Sequence, residues 1–223
     1  MIISVCNEKG GSGKSTLSIN IATYLATQAK KPLWLIDSDP QKSISVFLSI
    51  RDDEKLEKVF NYTYKSGDDL KEFLTKHKQE KEILLIDTGG RDSKDARIAI
   101  ALSDLVLIPT TASQLDISVL DLMIERLREA KKVNSSLKAL IVMNRVATNP
   151  FLTSKKDTLI EYIKDLIKDD LDYIKLANTI IYEREAFKVA IQMGRGVFEL
   201  NKNSKASGEI QNLCKEISKA KGT

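Results

Sequence analysis

A glycine-rich segment that contains two lysines follows the first apolar run of the chain. It consists of Lys9, Gly10, Gly11, Ser12, Gly13, Lys14, Ser15 and Thr16. Glycines let a loop curl with its backbone amides close to an anion, and a helix that begins at the end of the loop adds its dipole. In such a loop Lys14 reaches the β- and γ-phosphates, and the Ser15 hydroxyl ligates magnesium. The segment therefore predicts a nucleotide-binding loop whose binding residues are 10–16. Lys9 stands at the start of this loop.

Glu8 departs from the usual phosphate-loop pattern, which has glycine five residues before Gly13. The second lysine, Lys9, marks a deviant form of the loop instead. The competing interpretation is an ordinary surface turn rich in Lys and Gly. The position of the segment between an apolar strand and an amphipathic helix favours the phosphate loop.

Carboxylates follow two short apolar runs that are too brief for helices. Asp37 and Asp39 come after residues 33–36, and Asp87 comes after residues 83–86. In a parallel sheet, ligands bind beyond the carboxyl ends of the strands, so these acids should meet the phosphate loop. Asp87 is the candidate magnesium ligand, Asp37 supports the magnesium shell, and Asp39 orients the attacking water. The sequence leaves these three roles exchangeable.

Asn144 ends another apolar run and has two interpretations. Its amide is placed to hydrogen-bond the adenine edge of a nucleotide, which makes it a candidate binding residue. A turn-forming asparagine fits the same position equally well.

The order of the apolar runs predicts an α/β fold. Strands that alternate with helices indicate a doubly wound, mainly parallel sheet flanked by helices, and the 223 residues suit a single domain spanning positions 1–223. Two further strands are predicted at 105–109 and 140–144. Later helices are predicted at 117–132, 152–168, 185–193 and 207–220. Residues 42–81 should form two helices, with a break at 61–67 and no chemistry of their own.

Composition and charge narrow the function classes. Two cysteines without metal-ligand spacing, no secretory signal and no apolar run near 18 residues predict a cytoplasmic protein outside the membrane. The net charge is +4, and the excess of bases lies in the last forty or so residues. A basic end is able to contact nucleic-acid phosphates, although lysines on a solvated helix are common. Arg184, Arg195, Lys202 and Lys205 are the candidate DNA contacts.

The loop together with several later segments resembles the deviant Walker A ATPases of the ParA and MinD type, and is most similar to the small ParF-like plasmid members. Asp37–Gln41 is similar to the first switch of that family, and Asp87–Gly90 stands where the second switch begins. The remaining similar segments are 103–109, 113–116, 184–187 and 196–199. Ala112 departs from the family, which often has proline there.

The resemblance implies a P-loop ATPase that uses ATP and Mg²⁺ and hydrolyses ATP slowly. Two ATP-bound subunits would form a sandwich homodimer in which Lys9 crosses to the partner's nucleotide. The dimer would bind DNA nonspecifically, would be nucleoid-associated, and would segregate plasmid or chromosome copies with a ParB-like or ParG-like centromere-binding protein. The larger plasmid ParA proteins carry an N-terminal DNA-binding domain. We do not expect such a domain in this chain, because its first predicted strand begins at Ile2.

Three alternatives stay open at this level. A MinD-type membrane-associated ATPase would use the apolar stripe at 210–217, but this stripe has no Trp or Phe, and a core helix fits it better. A nucleotide-dependent filament scaffold would use the same site to control assembly. A metal-cluster carrier needs paired cysteines, which Cys6 and Cys214 do not provide.

Overall fold

The structure is a computed structural model that describes residues 1–28, 32–78, 80, 82–111, 114–149 and 153–220. Its strands are Ile2–Val5 (β1), Leu33–Asp37 (β2), Asn61–Tyr64 (β3), Ile83–Asp87 (β4), Leu105–Thr110 (β5), Lys138–Met143 (β6) and Ile174–Leu176 (β7). Its helices are Lys14–Gln28 (α1), Ser43–Asp53 (α2), Gly67–His77 (α3), Lys94–Leu102 (α4), Gln114–Val133 (α5), Thr153–Leu166 (α6), Glu185–Gln192 (α7), Val197–Leu200 (α8) and Lys205–Ala220 (α9).

The strands form one parallel sheet in the order β3-β2-β4-β1-β5-β6-β7. The central strands are apolar on both faces because helices cover both sides. Ile3 packs in the layer that contains α1, α2, α7 and α9, whereas its neighbour Ile2 packs in the layer with α3 to α6. The predicted doubly wound sheet is confirmed. β1 lies between β4 and β5, so the chain winds outward in both directions from the end of β1 and opens a crevice there.

The segment predicted as a break between two helices contains an additional strand. β3 pairs with β2 in parallel register, with Asn61 beside Trp34 and Tyr64 beside Asp37. All of its residues are half-buried at the sheet edge, so it has no continuous apolar run. The alternation Tyr-Thr-Tyr does carry β-propensity. The short elements α4, β7 and α8 were also absent from the sequence prediction.

Helix α9 packs its apolar stripe into the core. The stripe residues Ile210, Leu213, Cys214 and Ile217 are at most 2% exposed. The stripe therefore lies against the protein in this structure, as the core-helix interpretation requires. In the described part of the chain, we find no helix with the length and apolar character needed to cross a bilayer.

Arg51 joins α2 to the turn between α7 and α8. Its side chain is buried, and every N–H of its guanidinium has an acceptor. The acceptors are the Glu57 carbonyl at 2.6 and 2.9 Å, the Gly194 carbonyl at 2.9 Å and both Glu199 oxygens at 2.8 and 3.0 Å. Gly194 has φ 62, and a Cβ there would lie 2.7 Å from the Arg51 Cα. The contacts of Arg51 with Glu199 and Gly194 therefore fix α2, which follows the Asp37–Gln41 segment.

Candidate nucleotide-binding site

The glycine-rich loop connects β1 to α1 and needs glycine for two different reasons. Gly11 and Gly13 have φ values of 75 and 87, which favour glycine. A Cβ at Gly13 would also lie 2.5 Å from the Asn144 amide nitrogen. The backbone of the loop therefore curls tightly and approaches the end of β6, as a phosphate cradle requires.

Lys14 is held inside the loop. Its side chain is 6% exposed, and Nζ donates to the Lys9 carbonyl at 3.0 Å. Burial lowers the pKa of Lys14, and the nearby carboxylates of Asp87 and Asp39 oppose this shift. A cation that is desolvated and aimed into a glycine-rich loop is able to neutralise phosphate charge with little reorganisation.

Asp37 and Asp87 lie side by side at the ends of β2 and β4. The two residues are paired in register, and both are completely buried. One Asp87 oxygen accepts a hydrogen bond from the Ser18 hydroxyl at 2.9 Å, and one Asp37 oxygen accepts from the Asp39 N–H at 2.9 Å. Among the described residues, the second oxygen of each carboxylate has no hydrogen-bond partner.

The environment of these two carboxylates suits a divalent cation. Burial, with a smaller contribution from the neighbouring Asp37, raises the pKa of Asp87 to about 7, and burial raises the pKa of Asp37 to about 6. Two buried acids with unpartnered oxygens are costly unless a proton or a cation compensates them. Oxygen ligands beside a phosphate loop fit Mg²⁺, with the Ser15 hydroxyl as a further donor on α1.

Asp39 lies on the wall of the main cleft. The cleft holds about 820 Å³ and is lined by the glycine-rich loop, residues 38–43 and the segment after β4. One oxygen of Asp39 accepts the Gln41 N–H at 2.9 Å, and the same oxygen lies next to Gly89, where a Cβ would be 3.6 Å from it. The structure thus brings Lys14, Ser15, Asp37, Asp39 and Asp87 together, as the sequence predicts.

Asn144 braces the loop from the end of β6. It is 4% exposed, and its amide nitrogen donates to the Ser12 carbonyl at 2.7 Å. It also lines a second cavity of about 410 Å³, which adjoins the cleft at Gly13 and Thr16 and has apolar walls from residues such as Leu17 and Phe187. The size and position of this cavity suit a flat ring beside the phosphate site. The adenine contact of Asn144 itself stays a prediction.

Sequence reasoning missed several residues that shape these cavities. Ser18 lies one helical turn after Lys14, and that spacing is the signal that would have found it. Arg145 directly follows Asn144, has φ 53, and lies between the cleft and the second cavity. Its guanidinium donates to the Gly11 carbonyl at 2.9 Å and pairs with Glu183 at 3.0 Å.

Two acids on α9 hold the segment 178–184, of which residues 181–184 line the second cavity. Glu216 accepts the backbone N–H groups of Asn178 and Thr179 at 2.9 and 2.8 Å. Glu209 accepts the Tyr182 N–H at 3.2 Å and the Arg184 Nε–H at 2.7 Å. The last helix therefore fixes the segment 178–184, and no local pattern in the sequence signals these contacts.

The candidate DNA contacts differ in their surroundings. Arg184 forms an ion pair with Glu209, and its side chain is only 23% exposed, so its charge is neutralised within the protein. Arg195 is half-buried, whereas Lys202 and Lys205 are exposed. Of these four residues, Lys202 and Lys205 present their charge most openly.

The fold and the loop geometry define a P-loop nucleotide-binding protein. Comparison with known families gives a match to the CobQ/CobB/MinD/ParA nucleotide binding domain over residues 3–197. The chain belongs to this family, whose ParA and MinD branches are P-loop ATPases, and its sheet matches MinD structures.

Individual relatives agree with this assignment. The chain is 27% identical over 219 residues to the maintenance of carboxysome distribution protein A of Halothiobacillus neapolitanus, covering 96% of this chain and 95% of that one. It is 25% identical over 217 residues to the protein ParA of Rhizobium radiobacter, covering 95% and 91%. A putative plasmid partition protein of Borrelia burgdorferi B31 bound to AMPPNP has the same fold, with TM-score 0.68, 23% identity and coverage of 98% for each chain.

Proposed function

We propose that this protein is an ATP-hydrolysing partition protein that segregates DNA copies. The observation that carries the proposal is the pair of buried Asp37 and Asp87 carboxylates beside Lys14 in the glycine-rich loop, each with one oxygen that has no hydrogen-bond partner in the part of the chain that the structure describes. The names of two relatives, a ParA protein and a carboxysome-distribution protein, support a role in positioning or partitioning a cargo. We favour DNA as the cargo because of the basic C-terminal segment.

The roles of the residues follow from their places. Lys14 and the loop amides bind the phosphates, and Lys14 offsets negative charge as it builds up during transfer. Asp87, Asp37 and the Ser15 hydroxyl would hold Mg²⁺, which would neutralise phosphate charge during transfer. Asp39 has one oxygen on the Gln41 N–H and the other available to orient the attacking water.

The dimer and its partners complete the proposal. Lys9 is half-exposed at the start of the loop, where it is able to reach the nucleotide of a second copy. An ATP-bound dimer would present Lys202 and Lys205 to DNA phosphates without reading sequence. A ParB-like or ParG-like centromere-binding protein would stimulate hydrolysis and release the dimer.

Two lysine variants test the site. Lys14→Ala should abolish ATP binding, because it removes the buried cation that faces the phosphates. Lys9→Ala is the matched control: its backbone carbonyl stays in place, so a single subunit should still bind ATP while ATP-dependent dimers are lost. A fluorescent ATP analogue and light scattering measure the two steps, and tight ATP binding by Lys14→Ala would exclude the proposed loop.

The DNA step is tested by retention of a random duplex with ATP and with ADP. Retention should require ATP and weaken steeply between low and moderate salt, because phosphate contacts release counterions. Asp39→Ala should form ATP-dependent dimers on DNA that do not turn over. Flotation with anionic liposomes instead of DNA retention would favour the MinD-type alternative, and scattering that keeps growing with protein concentration would favour a filament.

A further inference from the structure

We propose that His77, Glu80 and Glu82 form a binding site for a divalent transition metal, outside the nucleotide cleft. His77 ends α3, and Glu82 directly precedes β4. The His77 Nδ1 lies 3.0 Å from one carboxylate oxygen of Glu80 and 3.0 Å from one of Glu82. β4 runs from this cluster to Asp87, and at about 3.3 Å per residue the two sites lie roughly 16 Å apart.

The geometry of the three groups is that of a partly assembled coordination sphere. The three ligand atoms lie within 4.8 Å of one another. In tetrahedral coordination with metal–ligand distances of about 2.0–2.1 Å, neighbouring ligand atoms are about 3.3 Å apart. The two separations of 3.0 Å are close to that value. Small side-chain shifts would thus admit an ion.

The chemistry of the cluster favours a transition metal over magnesium. A single imidazole nitrogen with two carboxylate oxygens is a ligand set for Zn²⁺ or Ni²⁺, whereas Mg²⁺ prefers oxygen ligands in octahedral geometry. One ring nitrogen carries at most one hydrogen, but two carboxylates converge on Nδ1. A bound divalent cation would satisfy both carboxylates at once.

Aromatic contacts fix the histidine ring in the required orientation. The ring stacks on Phe73 with centroids 4.3 Å apart, and it lies 6.0 Å from the Trp34 ring. The side chains of His77 and Glu82 are 16% and 17% exposed, whereas that of Glu80 is 48% exposed. A metal would therefore enter past Glu80, and water would complete its coordination on that side.

The sequence supplies its own reporter for this site. The chain has one tryptophan and one histidine. Ni²⁺ bound at Nδ1 should quench the fluorescence of Trp34 at one ion per chain. Zn²⁺ should compete without comparable quenching, EDTA should reverse the signal, and prior saturation with Mg·ADP should leave it unchanged.

Conservative variants decide between a built site and adventitious binding. Glu82→Gln and the exposed Glu80→Gln should each weaken Ni²⁺ binding at least tenfold, and Glu72→Gln, on the exposed face of α3, should have no effect. Equilibrium dialysis of the full chain should show one fewer bound Ni²⁺ ion in Glu82→Gln and Glu80→Gln than in the wild type. The proposal is overturned if quenching is unchanged in both cluster variants, or if Mg·ADP abolishes it.

Discussion

Neutralising Asp87 should stabilise the ligand-free protein at neutral and higher pH. Burial raises the pKa of this carboxyl from 3.8 to about 7. The folded protein therefore binds the Asp87 proton more tightly than the unfolded chain does. This contribution to stability is fully present below about pH 4 and is lost as the pH rises through 7.

The size of the effect is the difference between two opposing contributions. A pKa displacement from 3.8 to about 7 corresponds to about 4 kcal/mol at full ionisation. In Asp87→Asn the amide oxygen still accepts the bond from Ser18, but the new NH₂ group takes the place of an oxygen that has no hydrogen-bond partner among the described residues. Leaving that group unsatisfied costs about 2 kcal/mol. We expect the variant to be more stable than the wild type by about 2 kcal/mol at pH 8.

Urea unfolding followed by Trp34 fluorescence measures this difference without magnesium or nucleotide. The advantage of Asp87→Asn over the wild type should grow between pH 5 and pH 8. Asp92→Asn serves as the control, because Arg97 lowers the pKa of Asp92 and its titration lies below this window. A variant that is less stable than the wild type at pH 8, or a pH-independent difference, would refute the reasoning.

Three further variants and one control probe the framework around the site. Arg51→Lys should lower the free energy of unfolding by about 3 kcal/mol, because Lys cannot replace the buried two-point contact with Glu199. The control Lys94→Met breaks an exposed ion pair and should leave the free energy of unfolding nearly unchanged in the same urea titration. Gly13→Ala should abolish binding of a fluorescent ATP analogue, because a φ of 87 strains any side chain and the new Cβ would displace the Asn144 amide nitrogen 2.5 Å away. Glu209→Gln should weaken binding of that analogue several-fold with little change in tripolyphosphate binding, and an equal loss of both would contradict its role at the second cavity.

The parts of the site that the sequence predicted are those with a local signature. The glycine loop lies within a few residues of Lys14, and Asp37 and Asp87 each end an apolar run, so pattern and fold class together placed them. β3 escaped prediction because all of its residues are only half-buried at the sheet edge, so the strand has no apolar run. Arg184 is a predicted DNA contact because of the basic C-terminal segment and the family resemblance, and neither of these signals its pairing with Glu209, which arises from tertiary packing.

Contacts between distant parts of the chain account for most of the remainder. Asn144 and Ser12 are separated by 132 residues, and Arg51 and Glu199 by 148. Such pairs depend on which strands become neighbours, and the sheet order decides that only after the whole chain has folded. Their residue types alone gave no sign of a bracing role.

The bond between Lys14 and the Lys9 carbonyl has a consequence for the order of events in an assembly cycle. In this structure the Lys14 ammonium group donates a hydrogen bond to the Lys9 carbonyl at 3.0 Å. One of the three N–H groups of this ammonium binds the carbonyl and the others can bind phosphate oxygens, so Lys14 would link a bound phosphate to the peptide that carries the Lys9 side chain. A subunit that has bound its own nucleotide would therefore hold the start of the loop, and with it Lys9, more firmly than an empty one, so that empty copies would be poorer dimerisation partners.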